Sequence, residues 1–226
     1  MGNILQLLDR NTIETGGFHG IVQKRLVVNS KFGPKSGVKK GTWEGIGNLV
    51  YFADSWFGEG VETGLHPHQY IDVLTFVVEG KLDHEGSLKH GISLKSLDFQ
   101  VQKSGKEGFL HNEINKGTTT TRMLQLWLLP EQIEQKSSFR VHRAEKGLIT
   151  NVYGLRDRNS TQIDVIYLSQ DDLYLAKKES LVYVVKGSVR IGEENISEGV
   201  MLNLDKDIIH CNKESILISV YVNESS

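Results

Sequence analysis

One cysteine, three prolines and no sustained apolar run are the scarcities that first narrow this 226-residue chain. A lone Cys211 cannot close an internal disulfide and fits a reducing compartment, so the cytoplasm is the expected location. No tract is long and apolar enough for a membrane-spanning helix, and no membrane partner is expected. The opening Met-Gly-Asn-Ile-Leu-Gln-Leu-Leu-Asp lacks a basic segment ahead of an apolar core, so no signal peptide is read there. Gln6 stands where a myristoylation motif wants Ser or Thr. A formal net charge of −2 offers no basic excess for neutralising phosphates, which argues against direct nucleic-acid binding. Sustained helical periodicity is missing too; the best short candidate, 130–135, reads as a linker.

Glycine, by contrast, is abundant, with 23 residues, and short β-branched and aromatic runs recur between Gly-, Asn- and Asp-bearing turns. That punctuation predicts an all-β chain. Strands are expected at 49–53, 71–78, 97–101, 109–114 and 122–129, and again at 164–168, 181–185, 189–191, 200–204 and 216–222. The sequence Thr75-Phe-Val-Val-Glu-Gly80 reads on Val182-Tyr-Val-Val-Lys-Gly187, a strand running into a glycine turn in both cases. Two copies of one β unit are therefore expected, residues 1–130 and 131–226.

Two histidine pairings carry the chemistry. In an extended segment, residues two apart share a face, so His66-Pro67-His68 presents both imidazoles to one side. Pro67 helps keep His66 out of the helical region. His111-Asn112-Glu113 repeats the geometry, with Phe109 on the same face and Leu110, Asn112 and Ile114 on the other. Each pair alone has a bland alternative, a surface turn for the first and hydrogen bonding near a barrel mouth for the second. Together they describe three imidazoles and a carboxylate aimed at one interior point of a barrel, costly to bury unless ligated. Such a donor set suits Fe, Mn, Co, Ni, Cu or Zn better than Ca or Mg. On an octahedral ion it leaves two positions open.

These residues resemble a known family. Gly60-x5-His66-x-His68-x3-Asp72 followed by Phe-Val-Val-Glu-Gly80 is similar to the first cupin motif, and Ser104-Gly105-x-x-Gly108-x-x-His111-Asn-Glu113-x-Asn115 to the second. With Arg122-Met-Leu-Gln-Leu-Trp-Leu-Leu-Pro130, the pattern resembles pirin and its bacterial relatives. Two departures stand out: relatives carry Glu where this chain has Asp72, and Gly where it has Leu97. The resemblance implies a bicupin, two jelly-roll barrels in one chain. It implies His66, His68, His111 and Glu113 as the ligands of one divalent metal, Fe(II) first. It also implies a quercetin 2,3-dioxygenase-like activity on a small flavonol-like aromatic substrate, with Glu113 additionally taking the substrate's proton. The other reading it carries is an iron-dependent, redox-responsive regulator that binds a protein partner. Carrying the repeat forward puts Leu173 and Leu175 where His66 and His68 stand, so the second copy is expected to lack the site. His210 is read as structural, Cys211 as a buried inert thiol, and His84 and His90 as solvated at a turn.

Overall fold

The apolar runs and their glycine turns build strands along the whole chain. The computed structural model describes residues 5–34 and 40–223, and these contain twenty-one strands, one 3-10 turn (Arg10–Thr12) and no α-helix. Every strand expected from the sequence is present, several with longer bounds, such as Leu49–Phe57 and Thr161–Leu168. The segment 130–135 is not helical. It holds one turn, closed by the Gln135 N–H donating to the Gln132 carbonyl at 3.1 Å. So short a stretch fixes many torsions for few hydrogen bonds. No helix among the described residues is long and apolar enough to cross a membrane.

The chain divides into two compact units, Ile13–Arg143 and a second made of residues 5–12 with 144–223. In the first, a seven-stranded sheet runs in the order Ser138–Arg143, Asp98–Lys103, Asp72–Glu79, Thr121–Leu128, Leu49–Phe57, Ile21–Val28, Gly16–Phe18. A four-stranded sheet runs His66–His68, Phe109–Ile114, Lys81–Gly86, Ile92–Lys95. Ile21, Phe57, Val77 and Met123 of the large sheet meet Leu82 and Leu94 of the small one in a shared core.

The second unit repeats the plan. Its large sheet runs Gln6–Asp9, Val200–Leu204, Ser180–Lys186, Ser215–Val222, Thr161–Leu168, Ile149–Tyr153, and its small one Leu173–Leu175, Ile208–Cys211, Ser188–Ile191, Glu194–Ser197. Cys211 is buried in that unit's core, and burial raises its thiol pKa.

This division differs from the expected 1–130 and 131–226, because each large sheet takes an edge strand from a distant stretch of chain. Ser138–Arg143 pairs residue for residue with Asp98–Lys103, and Gln6–Asp9 pairs with 200–203. An unpaired edge of backbone donors and acceptors is a liability, and both strands cover one.

The repeat extends to atomic detail. Gly80 (φ 83°) and Gly187 (φ 97°) each turn the chain from the large sheet into the small one. Behind the first, Thr121 Oγ1 accepts from the Lys81 N–H at 3.1 Å and donates to the Lys81 carbonyl at 2.8 Å. Behind the second, Ser215 Oγ makes the same pair of bonds to Ser188, both at 3.2 Å. A Cβ on Gly80 would lie 2.6 Å from Thr121 Oγ1, and one on Gly187 would lie 2.3 Å from Ser215 Oγ. Glycine is thus required twice over, by backbone sign and by the hydroxyl behind it. Gly80→Ala should lower the unfolding free energy by about 1–3 kcal/mol. Urea unfolding would measure this, with Gly91→Ala (φ 74°, nothing within 4 Å of its Cβ) expected to lose distinctly less.

Candidate metal centre

Strand register brings the histidines together. Phe109–Ile114 lies between His66–His68 and Lys81–Gly86, so that His111 faces His66, Phe109 faces His68 and Glu113 faces His84. The nitrogens of His66, His68 and His111 fall within 4.8 Å of one another, the one group of this kind among the described residues. Their rings form a near-equilateral triangle, with centroids 4.6, 4.8 and 4.9 Å apart and planes crossing at 61°, 71° and 77°.

Hydrogen bonds behind the rings fix which nitrogen faces inward. His66 Nδ1 lies 2.7 Å from the Gly64 carbonyl oxygen, and His111 Nδ1 lies 2.8 Å from Gln102 Oε1. Oxygens of this kind only accept, so both Nδ1 atoms carry the proton and both Nε2 atoms carry a lone pair. Those two Nε2 atoms are 3.1 Å apart. Two lone pairs at that distance repel unless a cation or proton lies between them. Nitrogens sharing one ion at ~2.1 Å each stand about 3.0–3.4 Å apart, so the spacing fits a bound metal. His68 Nε2 is buried with no hydrogen-bond partner, a third donor atom left to be satisfied. Burial, with His66 beside it, lowers the His68 pKa to about 4. Burial and the neighbouring imidazoles of His68, His66 and His84 hold His111 well below its usual range. Both rings are neutral at pH 7, the state a metal requires.

Glu113 shares the strand and face of His111 and is fully buried, but its carboxylate is not in the group of three. Thr75 Oγ1 donates to Oε1 at 2.6 Å and Gln125 Nε2 donates to Oε2 at 3.0 Å. Burial raises its pKa to about 7, outweighing the lowering by those two bonds. Asp72 is also buried and accepts from the Ser104 N–H at 2.9 Å and from Gln135 Nε2 at 3.2 Å, so it ties two loops together.

Sequence reasoning missed two residues here. His84, expected in solvent, is fully buried, its ring 5.8 Å from that of His111 and 5.2 Å from that of Phe139. It shares the inward face of Leu82, two residues before it, and this parity was its signal among the charged residues of Lys81–Gly86. Gln102, which orients His111, also accepts from Gln100 Nε2 at 2.9 Å; nothing in the sequence marks it. His90 and His19 are exposed, as solvated histidines would be. In the second unit, Leu173 pairs with His210 as His66 pairs with His111, and Leu175 takes the place of His68.

Beside the triad lies a cavity of about 320 Å³ whose walls include His66, His68, Tyr51 and Trp127, with Gln23, Arg25 and Gln125 as polar groups. The Tyr51 and Trp127 rings are 4.7 Å apart, and Trp127 stands edge-on to His68 at 5.5 Å. Phe18, 43% exposed, also lines it. A half-open space of this size next to converging donor atoms can hold a small planar molecule.

Known proteins resemble this chain in sequence and in fold. Residues 37–128 match the Pirin family. The chain is 37% identical over 76 residues to a Zymomonas mobilis protein provisionally named a quercetin 2,3-dioxygenase, covering 34% of this chain and 32% of that one. It is 30% identical over 89 residues to the quercetin 2,3-dioxygenase of Escherichia coli K12, covering 39% and 38%. These matches thus span about a third of the relatives' length. In fold the likeness is nearly complete. A bacterial pirin of Escherichia coli, YhhW, in complex with nickel(II) superposes with a TM-score of 0.80 at 20% identity, over 98% of this chain and 100% of that one. A quercetin 2,3-dioxygenase of Acinetobacter baumannii gives 0.69 at 14% identity, over 97% and 86%. Both likenesses establish the bicupin fold.

Gln102→Leu should weaken Ni(II) binding roughly 10–100-fold by freeing the His111 ring. Calorimetric titration of chelator-stripped protein would measure it, with His66→Ala as the reference for a lost donor.

Proposed function

We propose that this chain, which belongs to the pirin family, is a metal-dependent dioxygenase whose working metal is Fe(II) and whose substrate is a small flavonol-like aromatic. The observation that carries this reading is the convergence of unprotonated imidazole nitrogens at the edge of an aromatic-walled cavity. His66, His68 and His111 would hold the metal, with Glu113 as fourth ligand once it releases Thr75 or Gln125. The bound metal would supply a redox centre and a template for dioxygen and an oxygen-bearing substrate. The remaining work falls to side chains. Trp127 and Tyr51, their planes crossing at 39°, give the ring system an aromatic wall. Gln125 lines the cavity and also bonds Glu113, linking the substrate's space to the carboxylate. Glu113 would also accept the flavonol hydroxyl proton when its carboxylate loosens from the metal. The overall change would consume one O₂, break the C2–C3 and C3–C4 bonds of the flavonol's heterocycle, release C3 with its own oxygen as carbon monoxide, and leave both oxygen atoms of O₂ in the ester product.

Anaerobic reconstitution with Fe(II), followed by quercetin in air-saturated buffer, tests the reading directly. Carbon monoxide should appear in step with quercetin loss, and His66→Ala should fall to the rate of free iron. Metal binding without turnover above free iron would overturn it. It would leave the protein-binding regulator, for which capture of a partner should depend on Fe(II) against Fe(III).

Glu113 also sets an expected pH dependence. Its carboxyl is protonated below about 7 in the metal-free protein and must lose that proton to ligate. Metal affinity should therefore be level above pH 7 and fall as pH drops, by about tenfold per unit for one proton. Glu113→Gln should bind more weakly and lose the part of this limb that belongs to the carboxyl. Competition titrations with a chelator from pH 5 to 8 would trace both curves.

A further inference from the structure

The donor state of His111 depends on which end of one amide faces it. Gln102 Oε1 accepts the His111 Nδ1 proton at 2.8 Å, which leaves Nε2 its lone pair. Were that amide turned over, its N–H would face Nδ1, the imidazole proton would move to Nε2, and the metal position would be closed. Gln100 does not settle the sense. Its Nε2 donates to Gln102 Oε1 at 2.9 Å, but its own Oε1 is a buried atom with no hydrogen-bond partner. Both amides could turn over together and keep a bond between them.

A third residue breaks this symmetry. His84 is fully buried, with the His111 ring 5.8 Å away and the Phe139 ring 5.2 Å away. Phe139 stands directly opposite Gln102 in the strand ladder, so the small sheet meets the large one here. The polar groups that act on the His84 ring by hydrogen bonding are the Lys89 carbonyl and the Gln102 side chain. At full bond length, however, both His84 nitrogens and Gln102 Nε2 are buried without a partner, three orphan atoms of complementary kind. A neutral imidazole has one N–H and one lone pair. The carbonyl can take only the N–H, which leaves the lone pair for Gln102, and a lone pair calls for the amide's N–H. Burial favours that neutral form.

We propose that His84 is a positioning residue for the metal centre: it donates to the Lys89 carbonyl, accepts from Gln102 Nε2, and so keeps the Gln102 oxygen turned to His111. Polarity then runs one way, from a main-chain carbonyl through two side chains to the lone pair on His111 Nε2. The inference rests on reading the three histidines as a metal site, and not on flavonol turnover.

Long-range proton–nitrogen NMR spectra of histidine-labelled, chelator-stripped protein at slightly alkaline pH report which ring nitrogen carries the proton. In the wild type, His111 should be protonated at Nδ1 alone, and His84 should be neutral with a single protonated nitrogen. His84→Phe, flat and apolar, should give His111 in mixed tautomers and weaken Ni(II) binding about tenfold. His84→Gln, which keeps one acceptor and one donor, should restore both. A charged or mixed-tautomer His84 in the wild type would overturn the proposal, and that observation requires no variant to fold. So would a His84→Phe protein whose His111 stays protonated at Nδ1 alone. A His84→Gln protein shifted as far as His84→Phe would also overturn it, since His84 would then serve packing only. If the wild type binds no Ni(II), the metal reading falls, while the tautomers still decide the role of His84.

Discussion

Two hydrogen bonds that never touch a metal decide what this site can do. Gly64 holds the His66 Nδ1 proton and Gln102 holds that of His111, and each bond turns a lone pair toward the same point. Without them either ring could flip or change tautomer, and the 3.1 Å approach of the two Nε2 atoms could relax into an ordinary hydrogen bond. With them, the approach is unfavourable until a cation arrives. A proton or a metal ion placed between the two nitrogens would relieve that repulsion. The strand register of Phe109–Ile114 against its two neighbours keeps that repulsion from dispersing.

The two barrels separate what the fold needs from what the chemistry needs. Both keep the strand, the positive-φ glycine and the hydroxyl that bridges the next residue's N–H and carbonyl. Only one keeps imidazoles on the short outer strand; in the other, Leu173 and Leu175 occupy those places and are 60% exposed. The second sheet thus stands without imidazoles there, because the ladder is backbone and the turn clamp lies elsewhere.

How far the sequence disclosed this depends on the range of the interaction involved. His66, His68, His111 and Glu113 were legible because period two is a local property of a strand, and so were the ten strands and the repeat. Glu113 was legible as an inward carboxylate, but not its engagement with Thr75 and Gln125, which lie 38 and 12 residues away. His84 was obscured by Lys81, Asp83 and Glu85, which give its strand the look of a solvated turn. Arg25 was hidden for a similar reason: Gln23-Lys24-Arg25 interrupts an apolar run, and only the three-dimensional register turns the arginine inward. The compact units differ from the expected limits because edge pairing between residues nearly two hundred apart leaves no trace in local composition.

That last pairing also bears on how the molecule is made. Gln6 meets Asn203, 197 positions later, while Ser138–Arg143 meets a strand that was synthesised shortly before it. At about 5–20 residues per second, residues 13–143 can close their barrel with everything already in hand, whereas the strand at 6–9 must wait roughly 10–40 s for its partner to be synthesised. Synthesis order thus gives the half that carries the histidine triad a head start. The strand at 6–9 is among the last to find its place.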